Sequence, residues 1–185
     1  TRAEASDVAN AILDGTDAVM LSAETAAGAY PRLAVEAMRR IITHVEQHPP
    51  VARSPRRIPR ESTAAVPTEV AIAAATTAAV GMLHAPLVVV FTKSGFSARI
   101  IAAHRPGVSI LVLTDQPRTF RQLALVWGVV PALVPHCDTY SEMMGRAHVV
   151  VRDLDLAEPG DRIIVTAGVP FDVPGTTNLL KVEIV

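Results

Sequence analysis

The chain has 185 residues, of which 50% are apolar and 19% are charged, a composition that provides a substantial core and disfavours overall disorder. Its 17 basic and 18 acidic residues leave a net charge of −1, which gives no electrostatic footprint for nucleic acid or an anionic membrane. No apolar run reaches the about 20 residues that a membrane helix needs, and the single cysteine excludes an internal disulfide. These features predict a soluble cytoplasmic protein that binds neither nucleic acid nor membrane.

The N-terminal part of the chain predicts two helices on either side of one strand. Apolar spacing indicates a helix over 4–12, closed by Asp14-Gly15. The short apolar run 18–21 is typical of a fully buried strand. Pro31 suits the first turn of the second helix, whose apolar positions continue at helical spacing to Val45.

The stretch 49–67 separates this part from the rest of the chain. It holds five prolines and four arginines, with few large apolar residues. Such a composition cannot bury enough surface to order itself independently, so we interpret the stretch as an exposed connector.

Beyond the connector, predicted helices alternate with predicted strands. Thr68 is expected to cap a helix that runs through the alanine-rich stretch to about Leu83. Strands separated by helices favour right-handed crossovers and a mainly parallel sheet that is covered on both faces. The predicted fold is therefore a three-layer α/β/α domain with a five-strand sheet. Its strands are expected at 87–91, 110–113, 129–134, 161–165 and 178–185, and its further helices at 97–104, from Pro117 and at 140–151.

The segment Thr92-Lys-Ser-Gly-Phe-Ser97 joins the first of these strands to a helix through one glycine and three hydroxyl side chains. Backbone amides at a helix start, with hydroxyls and one ammonium nearby, form a site for an anion. The same residues also fit a capped helix with an empty loop, because Ser and Thr cap helices widely and Gly95 suits a turn. Both interpretations stay open on the residues alone.

Two runs near the start of the chain carry a resemblance to a known family. T-R-A-E-A-S-D-V-A-N at 1–10 and M-L-S-A-E-T-A-A-G at 20–28 resemble one stretch of pyruvate kinases, in the last part of their catalytic barrel. The downstream segments resemble the C-terminal domain of the same family in order and spacing. The resemblance implies that residues 1–48 are a remnant of a (β/α)8 barrel, 49–67 a linker and 68–185 the allosteric domain, whose last strand is antiparallel.

The resemblance also implies an activity and an assembly. Pyruvate kinases transfer phosphoryl from phosphoenolpyruvate to ADP in glycolysis, with Mg²⁺ and in many members K⁺, and they form homotetramers. The metal ligands and the catalytic lysine of the family come from barrel strands outside this sequence. We therefore expect this fragment to bind no metal or cofactor and to be inactive alone.

A stand-alone ligand-binding or interaction module with the same C-terminal fold is the alternative. The gene sequence upstream of Thr1 discriminates between the two hypotheses. An open frame that continues into a barrel with a metal-binding Glu/Asp pair supports the enzyme, whereas a start codon just before Thr1 supports the module.

Three residues of the barrel remnant match positions that the family uses in or near its active site. Thr1 matches a threonine at a strand end beside the reacting pyruvate unit, where a hydroxyl can help carry a proton. Ser22 and Glu24 match a polar pair that supports the hydrogen-bond network around the site. The structural alternative is that Ser22 and Thr25 cap the next turn and Glu24 favours the positive end of a nearby helix.

Two loops match the family's effector site. T-x-S-G-x-S-A, here at 92–98, matches the loop that holds an effector phosphate, and the segment 166–178 matches the second loop. The second loop lacks the tryptophan and arginine of the fructose-bisphosphate-regulated forms, so the resemblance favours a sugar monophosphate or AMP as the effector. The phosphate-binding residues that it implies are Thr92, Lys93, Ser94, Gly95, Ser97, Gly175 and Thr176.

The helices at 4–12 and 31–47 also predict self-association. Most of the barrel that covers their apolar faces in the family is outside this sequence. Exposed apolar faces of this kind tend to associate, so we expect the chain to self-associate, as the full-length homotetramer does.

Overall fold

The computed structural model describes residues 1–48, 65–170 and 176–185. The chain divides into two compact units, Thr1–Arg57 and Ile58–Val185. The helices and strands of the described residues are α1 (Arg2–Asp14), α2 (Ala23–Ala26), α3 (Pro31–Gln47), α4 (Thr68–Leu83), β1 (Leu87–Phe91), α5 (Phe96–Ala103), β2 (Ser109–Thr114), α6 (Pro117–Leu123), β3 (Val129–Leu133), α7 (Tyr140–Asp153), β4 (Arg162–Ala167) and β5 (Leu179–Ile184).

The helices of the first unit begin and end at the local signals in the sequence. Thr1 caps α1 in a capping box with Glu4, and Gly15 ends the helix with a left-handed φ of 92°. Pro31 occupies the first turn of α3, where its missing N–H leaves no intrahelical bond unmade. The two helices predicted here are thus confirmed.

The strand predicted at 18–21 is wrong. These residues have no regular secondary structure, and the Met20 side chain is 83% exposed. The described part of the first unit contains helices only, so the apolar run has no neighbouring strand there with which to form a hydrogen-bonded ladder.

The second unit is built on one mixed sheet with the strand order β3-β2-β1-β4-β5. β1 pairs in parallel with β2 and β4, and β2 pairs in parallel with β3. β5 pairs antiparallel with β4 at the sheet edge. The predicted five-strand sheet with an antiparallel last strand is confirmed.

Helices cover both faces of this sheet, because successive side chains of each strand point to opposite sides. In β1, Val88 and Val90 face α4, α5 and α6, whereas Leu87, Val89 and Phe91 face α7. All five side chains of β1 are buried, as expected for the central strand of a three-layer domain. The predicted α/β/α layering is confirmed.

Two boundary predictions have different outcomes. Thr68 is the first residue of α4 rather than its cap, because Pro67 occupies the cap position with extended backbone at φ −55° and ψ 145°. Most of the predicted linker 49–67 lies outside the described residues, and the predicted domain limits stay a prediction.

No helix in the described part of the chain is long and apolar enough to cross a membrane.

Candidate functional site

The loop after β1 turns sharply into α5. Thr92 Oγ1 accepts a hydrogen bond from the Gly95 amide at 3.0 Å, and Ser94 Oγ accepts one from the Phe96 amide at 3.3 Å. Gly95 is the N-cap of α5 and makes no side-chain cap bond, so the next amides of the first turn have no acceptor within the helix. The Gly95 and Phe96 amides thus already donate within the loop, and the amides of Ser97 and Ala98, which follow in the first turn, are the ones in position for an anion.

Gly95 is required at this turn for two reasons. Its φ is +79°, in the left-handed region that favours glycine, and an added Cβ would lie 3.2 Å from Leu123 Cδ2 and 3.3 Å from Thr119 Cγ2. Thr119 Oγ1 also donates a hydrogen bond of 2.7 Å to the Lys93 carbonyl. The helix α6 therefore fixes the shape of the loop.

Two hydrogen bonds of the Asn178 side chain stabilise the loop between β4 and β5 where it leaves the sheet. The Asn178 side chain accepts a hydrogen bond from the Val169 amide at 2.8 Å and donates one to the Val169 carbonyl at 2.6 Å. An added Cβ at Gly168 would overlap the backbone carbonyl of Thr176, so only glycine permits this close approach. The predicted site residue Gly175 lies outside the described residues.

A buried hydrogen bond joins the two loops. The Ser97 hydroxyl contacts the Thr177 hydroxyl, and both residues are buried. Thr177 is not among the residues predicted from the sequence, and no sequence signal pairs two hydroxyls that lie 80 positions apart. Ser97 therefore ties the loops together, and its contact with a phosphate stays a prediction.

A cleft opens at the carboxyl ends of the four parallel strands. Its volume of ≈ 90 Å³ is several times the ~10–15 Å³ that one water molecule needs. The carboxyl edge of a parallel sheet is the usual place for a ligand in folds of this kind. The cleft brings together five of the predicted site residues, namely Thr92, Lys93, Ser94, Ser97 and Thr176.

The cleft also contains ionisable residues that the sequence interpretation missed. Asp115 follows β2, His136 lies beyond β3, and Arg146 is on α7. The signal that could have found Asp115 and His136 is their position, because residues after neighbouring parallel strands meet at one edge of the sheet.

Asp115 is the centre of this group of ionisable side chains. Its Oδ2 lies 3.0 Å from His136 Nδ1 and 4.0 Å from Lys93 Nζ, and its Oδ1 accepts a hydrogen bond of 2.9 Å from Gln116 Nε2. Burial raises the pKa of the Asp115 carboxyl, but the hydrogen bonds from Gln116 and His136 and the charge of Lys93 outweigh it and hold the pKa below its usual value. Asp115 is therefore a carboxylate at neutral pH.

Cys137 also lines the cleft and is buried, with its thiol directed at the Pro135 carbonyl at 3.4 Å. A buried free cysteine of this kind packs as a small apolar side chain.

The three predicted catalytic residues lie in the first unit and bond to near neighbours in sequence. Thr1 Oγ1 donates to Glu4 Oε2 at 2.6 Å and accepts from the Glu4 amide at 3.3 Å. The Glu24 carboxylate accepts a hydrogen bond of 2.9 Å from the Ser22 amide, whereas the Ser22 side chain makes no cap bond to α2. The catalytic roles of Thr1, Ser22 and Glu24 stay predictions.

Within the ranges 1–48, 65–170 and 176–185, no group of three or more His, Cys, Asp or Glu side chains is placed to hold a metal ion. The described residues therefore do not fit the Mg²⁺ that the family resemblance implies, and we assign that ion to none of them.

Comparison with known families decides the relationship of this chain. Residues 70–183 match the family described as pyruvate kinase, alpha/beta domain, and residues 1–35 match the pyruvate kinase barrel domain. The chain belongs to the pyruvate kinase family. The match places the sheet and its cleft in the alpha/beta domain of that family.

Curated pyruvate kinases align with nearly the whole chain. One from Agrobacterium vitis is 46% identical over 193 aligned residues, which cover 98% of this chain and 38% of the relative. One from Staphylococcus saprophyticus is 42% identical over 187 aligned residues, which cover all of this chain and 31% of the relative. The chain thus spans about a third of the length of the curated pyruvate kinases that it matches.

A solved structure agrees with these sequence relatives. The crystal structure of a pyruvate kinase from Cryptosporidium parvum superposes with a TM-score of 0.84 at 32% identity. The superposition covers 100% of this chain and 36% of the other. The pyruvate kinase family predicted from the opening motif is confirmed.

Proposed function

We propose that this chain is the C-terminal portion of a pyruvate kinase, whose full-length form transfers phosphoryl from phosphoenolpyruvate to ADP and yields pyruvate and ATP. The curated relatives with 42–46% identity carry that name. Under this proposal the full-length protein is a cytoplasmic glycolytic enzyme. It uses Mg²⁺ and K⁺, which are held by parts of the barrel other than this sequence.

The 185-residue chain by itself has no turnover under this proposal. Phosphoryl transfer depends on positioned positive charge around the transferred group. The part of the chain that matches the barrel family is residues 1–35, and in this structure Thr1 and Glu24 bond to their own neighbours. These contacts support an inactive fragment.

A coupled assay with phosphoenolpyruvate, ADP, Mg²⁺ and K⁺ tests this directly. We expect no pyruvate above the blank. Turnover that disappears in Thr1→Ala would show that the chemistry resides in this chain, and it would contradict the proposal.

We also propose that the cleft is an allosteric site for a phosphorylated effector, with the phosphate bound by the 92–97 loop. The observation that carries the proposal is the convergence of that loop and Thr176 on one cleft at the carboxyl edge of the sheet. Hydroxyls, helix-start amides and the Lys93 ammonium together supply several donors to an anion.

The favoured effectors are a sugar monophosphate and AMP. Charge-assisted hydrogen bonds contribute roughly 1.5–3 kcal/mol each, so a few of them suffice for measurable affinity. Ribose 5-phosphate, glucose 6-phosphate, AMP and plain sulfate are the probes for calorimetric titration of the wild-type chain.

Substitution of Ser94 gives the sharpest test of the phosphate site. Ser94→Asp places a negative charge in the loop, so we expect it to abolish binding of every probe. Ser109→Asp is the matched control, because Ser109 is exposed at the start of β2 and does not line the cleft. Failure of the wild type to bind any probe, or unchanged binding by Ser94→Asp, would refute the site.

Self-association is the last part of the proposed function. The large apolar side chains Tyr30, Leu33 and Val35 are exposed at the start of α3, which supports a contact with further protein, as in a homotetramer. Sedimentation at increasing concentration should show species larger than the monomer. A single monomeric species at high concentration would contradict this part.

A further inference from the structure

The two sides of the cleft differ in charge. The 92–97 loop, at the end of β1, presents the hydroxyls of Thr92 and Ser94 and the start of α5, which favour an anion. The neighbouring position, at the end of β2, is the carboxylate of Asp115. Adjacent strands are about 4.8 Å apart. A phosphate held at the end of β1 would therefore have the Asp115 carboxylate close to the sugar or nucleoside to which that phosphate is attached, which we call the body of the ligand.

The Asp115 carboxylate is fixed in place. Its side chain is only 18% exposed, and both of its oxygens have partners on neighbouring residues, Gln116 on one and His136 on the other. The backbone amide of Gln116 in turn donates a hydrogen bond of 3.2 Å to Thr114 Oγ1. A carboxylate accepts about four hydrogen bonds, so the oxygens retain acceptor capacity toward the cleft.

We propose that Asp115 selects the body of the effector: it accepts hydrogen bonds from the hydroxyls of a monophosphorylated sugar or nucleoside and excludes a second phosphate. This inference rests on the phosphate site proposed above. A hydroxyl donates to a carboxylate in a short charge-assisted bond. A second phosphate at the same place would bring two negative charges together where water is limited, which is unfavourable.

Besides Asp115, the cleft is lined by Lys93, His136 and Arg146, and Arg146 does not reverse the selection. Arg146 lies on the exposed surface of α7, where water and salt screen its charge. Asp115 is mostly buried, so its charge is screened less and acts more strongly on a bound ligand. The Lys93 ammonium, 4.0 Å from Asp115, lies on the loop that would hold the first phosphate.

Three probes separate the phosphate from the body of the ligand: inorganic phosphate, glucose 6-phosphate and glucose 1,6-bisphosphate, each titrated by calorimetry. We expect the wild type to bind glucose 6-phosphate more tightly than phosphate and more tightly than the bisphosphate. Asp115→Ala should reduce the preference for glucose 6-phosphate over phosphate about tenfold, the effect of losing one hydrogen bond to a charged group.

Asp115→Asn separates charge from hydrogen bonding. The amide retains an acceptor but carries no charge, so we expect the bisphosphate to gain affinity relative to glucose 6-phosphate, with a smaller loss of sugar preference than in Asp115→Ala. Asp138→Asn is the matched control, because Asp138 also contacts His136, at 3.2 Å, but is 83% exposed and does not line the cleft. It should leave all three affinities unchanged.

The outcomes distinguish this inference from the phosphate site itself. If the wild type binds none of the three probes, the phosphate site is wrong and the role of Asp115 falls with it. If phosphate binds and both Asp115 variants keep the wild-type preferences, the site stands and the role of Asp115 is overturned. Circular dichroism of each variant shows that the fold is retained, and fluorescence of Trp127 gives a second check.

Discussion

The two units of this chain form their helices in similar ways but bury very different amounts of side-chain surface. In the described part of the first unit, residues 1–48, no residue is buried, although α1 and α3 are well-formed helices. In the second unit, all five residues of β1 are buried between two apolar clusters.

The difference shows which signals are local and which are not. The capping box at Thr1, the left-handed Gly15 and the Pro31 start are complete within a few residues of the chain. Burial in contrast requires surfaces that lie far apart in sequence, as where β1 pairs with β2 and β4. Helix formation therefore does not by itself indicate a core.

Truncation of a core leucine should give the largest difference between the units. Leu111 in β2 is fully buried, so Leu111→Ala is expected to lower the free energy of unfolding by about 2–5 kcal/mol. The matched variant Leu33→Ala in α3, where Leu33 is 57% exposed, should change it by less than about 0.5 kcal/mol at protein concentrations low enough for the chain to be monomeric. Urea unfolding followed by circular dichroism measures both variants, and Trp127 fluorescence follows the second unit alone, which contains Leu111.

Equal losses in the two leucine variants would break the comparison. They would mean that Leu33 is covered in solution, as self-association of the chain requires. Repeating the unfolding at several protein concentrations then decides the matter, because stability gained from association rises with concentration.

A substitution at Gly95 tests whether backbone geometry shapes the cleft in the second unit. Gly95→Ala forces a Cβ onto a residue with φ +79° and against Leu123 and Thr119. We expect a loss of stability of roughly 1–2 kcal/mol from the left-handed conformation alone, together with weaker binding of the phosphate probes. Thermal unfolding and calorimetry provide the two readouts.

Gly81→Ala is the control for this change. Gly81 lies inside α4, and an added Cβ would meet nothing within 4 Å. Because alanine favours a helix over glycine, Gly81→Ala should stabilise the protein by about 0.5–1 kcal/mol. A loss of stability at Gly81 as large as that at Gly95 would indicate a general intolerance rather than a strained turn.

The smallest expected effect is at the sheet edge, where Glu183 on β5 meets α7. Its carboxylate lies 2.6 Å from Lys181 Nζ and accepts a 2.9 Å hydrogen bond from the Tyr140 hydroxyl. The bond from Lys181 is the largest influence and lowers the pKa of Glu183, burial acts in the opposite direction, and the Tyr140 hydroxyl lowers the pKa further. The net result is a pKa below the ordinary value of 4.5.

A carboxyl with a lowered pKa stabilises the fold above its unfolded-state pKa and loses that contribution as the pH falls through the folded-state value. Glu183→Gln should therefore be less stable than wild type by about 0.2–1 kcal/mol at pH 7, with the difference shrinking below pH 4.5. Urea unfolding at a series of pH values measures this. A difference that is constant down to the acid limit would exclude the titration of Glu183 as its source.

Most of the fold was predictable because its signals are periodic. The β-branched run of β1 and the alternation of helix and strand predicted the layers, and the family resemblance supplied the antiparallel β5. The prediction of a strand at 18–21 was wrong because an apolar run indicates that a segment tends to be buried, but it does not indicate which other segment buries it.

The candidate site was predictable in part. The 92–97 loop carries its own signal, a strand, a glycine with hydroxyls and a helix in direct succession. The place of Asp115 in the cleft and the Ser97–Thr177 contact both depend on which strands are neighbours. The strand order β3-β2-β1-β4-β5 cannot be predicted from any short segment of the sequence. Thr68 was misplaced by one position, because Pro67 competes for the same cap.

The hydrogen bond between Ser97 and Thr177 has a consequence for the folding of the domain during its synthesis on the ribosome. Its partners are 80 positions apart, and at about 5–20 residues per second the second hydroxyl is made roughly 4–16 s after the first. For most of that interval β1 has no β4 beside it, since β4 ends at Ala167, shortly before Thr177. The nascent chain therefore exposes one open edge of β1, all of whose side chains are buried in the finished domain, and molecular chaperones have seconds in which to bind it.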